Sequence, residues 1–136
     1  MSTERETSGR LRLALAELDS ALDGLDEALA LPPDTPLLVD GTMQRFGFCF
    51  ELARKSVKLA LSEWEGLSSA SPRQALGQAY ALRWLEHDGP WLQMLQDRNL
   101  SSHTYRKALA REIHARIPQH ADALRALLSG LQKHST

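Results

Sequence analysis

The chain has 136 residues, 43% of them hydrophobic, a length that suits one domain spanning 1–136 and burying roughly two-thirds of its unfolded surface. Its one cysteine, Cys49, excludes an internal disulfide and fits a reducing, cytoplasmic setting. The net charge of -1 combines an acidic stretch, nine acids and three bases in 1–40, with a basic remainder of eight acids and thirteen bases, an imbalance too small for duplex DNA binding.

The opening MSTERETSGR has mixed charge and no apolar centre, so it does not read as a secretory signal. Leu11, Leu15, Leu18, Leu22, Leu25 and Leu29 then recur at steps of four and three, which predicts a helix over about 8–30 with one apolar seam. Asp19, Asp23, Asp26 and neighbouring glutamates lie mostly off that seam. LPPDTP stops the helix, because adjacent prolines remove donors and clash with the preceding turn.

A bundle core is expected over 41–133. Asp40 reads as the N-cap of a second helix reaching about Trp64, with Met43, Phe46, Phe50, Ala53 and Val57 on its stripe. Phe48, Leu52 and Leu59 widen that stripe and predict a central position. SPRQ, from Ser71, is a helix start with a capping residue, a first-turn proline and a capping-box glutamine. It opens a third helix over about 72–85. A fourth segment opens at Pro90 with Trp91, Leu92, Met94 and Leu95. The last carries Ile113, Ile117, Ala121, Leu124, Leu128 and Leu131, with a kink or restart expected at Pro118. No alternating β-branched run, hairpin signal or membrane-length apolar run occurs. The expected fold is all-α, an antiparallel bundle of about five helices.

Chemistry concentrates in RNLSSHTY, residues 98–105. On a continuous helix Arg98, Ser102 and Tyr105 share one face, and Asn99 and His103 the next. Arg98 and His103 are then about 140° apart, so a helix break or a second copy of the chain is needed to bring them together. Arg98 offers a planar fork to phosphate oxygens, and His103 can exchange a proton near neutral pH without a metal. The plainer alternative is that Asn99, Ser101 and Ser102 end helices while Arg98 and His103 are solvated. Gly-rich phosphate loops, paired metal-binding histidines and nucleophile elbows are absent from the sequence. His114 and His120, six apart, read as exposed helix residues.

RNLSSHTY resembles the signature of HEPN domains, in which an Arg is followed by a polar residue and then a His. MQRFGFCFELARKSVK (43–58), SPRQALGQAY (71–80) and WLQMLQDRNLSSHTY (91–105) resemble the nucleotidyltransferase substrate-binding protein family in the same order. The resemblance implies a small HEPN-like helical bundle, often a homodimer, paired with a separate minimal nucleotidyltransferase in modules of toxin–antitoxin type. It implies nucleotide or RNA binding through Asn99, Ser102 and Arg45, with no cofactor or metal beyond such a nucleotide. Its alternative implication is a metal-independent endoribonuclease toxin using Arg98 and His103, and Tyr105 stands where related modules accept AMP. Gly47 departs from relatives that carry an acidic residue there, and Arg54 from those that carry Trp. The chain itself lacks the Gly-Ser and paired-Asp metal site that nucleotidyl transfer uses, so that activity belongs to a partner. The wide apolar face of the second helix, together with Trp91, points to a homodimer.

Overall fold

The computed structural model describes residues 7–85, 89–101 and 106–134. They form five helices: α1 (Gly9–Leu29), α2 (Pro36–Glu65), α3 (Pro72–Ala81), α4 (Gly89–Ser101) and α5 (Lys107–His134). No strand occurs among the described residues, and none of their helices is long and apolar enough to cross a membrane. The all-α bundle expected from periodicity is therefore the observed architecture.

α2 is the central helix and touches each of the other four. Its inward residues include Phe46 and Phe50, at most 2% exposed. The leucine seam of α1 is buried from Leu11 to Leu25 and joins one continuous core with α2 and α5. Where two buried hydroxyls interrupt α2, each bonds back into its own helix. Thr42 donates to the Leu38 carbonyl and Ser56 to the Leu52 carbonyl, both at 2.8 Å, which satisfies a group that would otherwise be costly to bury.

Several boundaries differ from the sequence expectations. α2 begins at Pro36 rather than beyond Asp40, because Thr35 is the better cap: its hydroxyl accepts from the Leu38 N–H at 3.2 Å. A proline follows it at the first helical position. At α3 the Ser71 hydroxyl accepts from the Gln74 N–H at 3.1 Å, and the Gln74 side chain accepts from the Ala70 N–H at 2.6 Å. That is the expected start with the return bond displaced by one residue. α3 stops at Ala81, short of Leu85, because Arg83 adopts a left-handed conformation (φ 64°). Its N–H returns to Tyr80 and that of Trp84 to Ala79, the paired bonds that close a helix.

α5 runs through Pro118 without a restart. Pro118 lies on the exposed face, where water can satisfy the carbonyl that loses its donor, while Ile117 and Ala121 hold the opposite face in the core. Trp91, expected at a dimer surface, is only 4% exposed and belongs to the core. Phe48 moves the other way: placed on the inward stripe by spacing, it is 63% exposed.

Candidate functional site

α4 turns Trp91, Met94 and Asp97 inward at steps of three. The first two are apolar, as the period requires. Asp97 is a carboxylate in the next core position and is fully buried. α5 carries the matching break. Between Ile117 and Leu124 its inward stripe includes His120, which is 2% exposed. The two polar interruptions face each other across the α4–α5 interface.

Asp97 is completely occupied. Its Oδ1 accepts from Gln93 Nε2 at 2.9 Å and from Arg116 NH2 at 2.8 Å. Its Oδ2 accepts from Arg116 Nε at 2.8 Å and lies 2.8 Å from His120 Nε2. Arg116 thus engages the carboxylate as a two-point fork, the strongest of the neutralising geometries. Burial pushes the Asp97 pKa up, but the bonds from Arg116, His120 and Gln93, with the charge of Arg116, outweigh it and hold the group below its ordinary 3.8. His120 also stacks on Phe46 of α2, ring centres 5.3 Å apart and planes 25° apart. Three helices therefore meet around the Asp97–His120 pair.

The next residue along α4 is Arg98, the first member of the polar octapeptide. Its side chain, 27% exposed, lies across α2 with Nε 3.8 Å from Glu51 Oε1. The other Glu51 oxygen accepts from Arg54 at 3.2 and 3.0 Å, so one carboxylate steadies two guanidinium groups. Gly47 makes room for this path. A Cβ there would stand 3.1 Å from Arg98 Nε and 3.3 Å from its Cδ. Ser101 closes the helix end by donating to the Arg98 carbonyl at 2.9 Å.

Asn99 is exposed one residue beyond Arg98. Ser102, His103 and Tyr105 lie outside the described residues. Arg45 is placed elsewhere: it donates to the Gly24 carbonyl of α1 at 2.6 Å, on the side of α2 that faces the first helix. Close by, Arg125 of α5 meets Asp23 at 2.9 Å, Asp26 at 2.7 Å and Asp19 at 3.5 Å. The acidic face of α1 is thus neutralised in part by the basic remainder of the chain.

His120 corrects the sequence reading, which placed it in solvent. Its signal was present: a histidine at the next inward step after Ile117, four residues from an arginine on the same helix face. Asp97, in the buried register of α4, was the complementary signal. Arg54 likewise enters the site only through Glu51, a contact that helical spacing on α2 could indicate but not connect to Arg98.

The family model described as nucleotidyltransferase substrate binding protein like matches residues 11–133. A protein of known structure from Thermus thermophilus is 35% identical, with 82% of this chain and 96% of that one covered and a TM-score of 0.77. A Haemophilus influenzae protein, described as revealing the fold of a substrate binding domain of a nucleotidyltransferase, shares the fold at 24% identity and a TM-score of 0.77, with 87% and 98% covered. No functionally curated protein matches the chain. Across nearly its whole length, this chain belongs to the nucleotidyltransferase substrate binding protein-like family.

Proposed function

We propose that this protein is the substrate-binding partner of a separate nucleotidyltransferase, and that it holds nucleotide or RNA phosphate against the end of α4. The observation that carries the reading is the anchoring of Arg98. The preceding residue is locked by four polar contacts in the core, while Arg98 itself reaches the surface beside Arg54 with the Glu51 carboxylate between them. A guanidinium on so fixed a base can meet a phosphate without first being ordered, which lowers the cost of binding.

Pairing with the transferase is of the toxin–antitoxin type in this reading, and two copies of the chain associate through the α2–α4 face. Phe48 at 63% exposure and Leu100 at 38% supply apolar area there, the kind of surface that a partner covers. Arg98 from each copy then contributes to one cleft. Asn99 and Ser102 add neutral hydrogen-bonding groups, and Tyr105 is the acceptor if the transferase modifies its own partner with AMP.

The test is capture of the tagged full chain from its native cells, with sequencing of whatever stays bound. A stoichiometric partner carrying the Gly-Ser and paired-Asp pattern of a minimal nucleotidyltransferase is the expected result. Recovery of the chain without such a protein, under conditions that preserve complexes, overturns the reading. Incubation of the purified chain with RNA in EDTA separates the ribonuclease alternative: cleavage lost in both Arg98→Ala and His103→Ala would make the protein an enzyme rather than a binding partner.

A further inference from the structure

A cavity of about 200 Å³ opens between the first turns of α2 and α5. Pro36, Val39 and Ala110 give it apolar walls, and the last two are nearly fully buried. Lys107 and Arg111 line it from α5, four residues apart, and Arg106 adds a third cationic side chain. Among the described residues Asp40 is its one carboxylate. Among the described residues neither Lys107 nor Arg111 has an ion-pair partner, and Asp40 has none either.

That lining is selective in its chemistry. Two like charges one helical turn apart repel, so the arrangement disfavours itself until an anion arrives. A doubly charged phosphate ester suits the pair better than a single carboxylate. A cavity of roughly 150 Å³ accepts benzene, so a heteroaromatic ring is an appropriate body for this one. Apolar walls offer nothing to the hydroxyls of a bare sugar phosphate. Asp40 would repel a ligand bearing only acidic groups, but accepts from an exocyclic amine or a ribose hydroxyl. One turn further along α5, burial and, second to it, the charge of Arg111 hold His114 below its ordinary 6.5.

We propose that this cavity is a nucleoside monophosphate site, with the base against Val39 and Ala110, the phosphate on Lys107 and Arg111, and Asp40 reading a donor on base or ribose. The ligand is a free mononucleotide or one residue of an RNA strand. The inference takes its ligand class from the nucleotide-handling reading above, but adds a site separate from Arg98 and made of different residues.

Calorimetric titration of the full chain with AMP tests it, beside titrations with adenosine and with inorganic phosphate. AMP is expected to bind more tightly than either fragment. The double variant Lys107→Ala, Arg111→Ala is expected to weaken AMP by on the order of tenfold or more, the effect of losing charge-assisted bonds. Lys107→Glu should weaken it further, and Arg10→Ala, on the exposed side of α1, should not change it. These side chains are exposed, and an unchanged thermal melt checks that each variant is folded. Displacement of AMP by a short single-stranded RNA identifies the strand as the source, and failure to displace identifies the free nucleotide. AMP binding that ignores Lys107 and Arg111 but disappears in Arg98→Ala overturns the cavity and leaves the broader reading intact. Absence of AMP binding at millimolar concentration overturns the cavity even if a transferase is captured. Capture failure with AMP binding intact overturns the transferase reading alone.

Discussion

Arg116 and Asp97 meet through two parallel 2.8 Å hydrogen bonds, nineteen residues apart in sequence, and Asp97 directly precedes the partly exposed Arg98. The pair welds α4 to α5 at the point where the polar octapeptide begins. Because Asp97 is buried and Arg116 partly exposed, the carboxylate is the member that cannot be left unpaired cheaply.

Asp97→Ala leaves His120 buried without its partner and Arg116 without its fork. Loss of one member of a buried pair costs about 3–5 kcal/mol, and the partial exposure of Arg116 puts this site at the lower end. Urea denaturation is expected to show a loss of about 3 kcal/mol, and at least as large a loss for Arg116→Met, which leaves the buried carboxylate without its fork.

Acid weakens the fold in two stages. His114 has a folded-state pKa below 6.5, so the unfolded chain binds its proton first and stability declines as pH falls below 6.5. Asp97 has a folded-state pKa below 3.8, so its contribution is whole above 3.8 and is lost as pH falls through the folded value. Denaturation midpoints measured across this range should show both declines, and His114→Gln should remove only the first.

Gly47 is expected to control the seat of Arg98. With Gly47→Glu the new side chain must displace the guanidinium and then pair with it, since even a Cβ would come within 3.1 Å of Nε. Affinity for single-stranded RNA should fall on the order of tenfold, the loss of one charge-assisted contact. For Gly47→Ala the helix-propensity gain of up to about 1 kcal/mol should be offset in part by the crowding of Arg98 Nε and Cδ, with a smaller loss of RNA affinity than for Gly47→Glu.

Arg83 holds a left-handed backbone at φ 64°, which costs a residue with a Cβ roughly 1 kcal/mol. Arg83→Gly should raise the melting temperature by a few degrees, as a gain of that size does in a domain of this length. Arg83→Val should lower it.

Much of this architecture was legible because α1 and α2 bury simple stripes, and a leucine seam from Leu11 to Leu25 has one way to face a core. The departures share a cause: a local signal belongs to one helix, whereas its outcome depends on the neighbours. Asp40 is a good cap in isolation, but the Thr35–Pro36 pair starts α2 earlier. Pro118 is a good breaker, yet the core contacts on both sides of it keep α5 intact. His120 looks solvent-bound alone, and is buried against Asp97 only because α4 lies against α5. Phe48 and Trp91 exchanged their expected surroundings because spacing sets a face, not its neighbour. The octapeptide announced its chemistry through composition, whereas the support beneath Arg98 comes from Gly47, Glu51 and Arg116 on two other helices, a convergence that no single stretch of sequence displays.

The most direct measurement is fluorescence anisotropy of a labelled short single-stranded RNA titrated, in EDTA, with the wild-type chain, Arg98→Ala and Asp97→Asn. The account predicts saturable, salt-sensitive binding by the wild type. It predicts affinity lower by on the order of tenfold in Arg98→Ala, with a loss in Asp97→Asn as the support beneath Arg98 loosens. Equal affinity for wild type and a folded Arg98→Ala would contradict it.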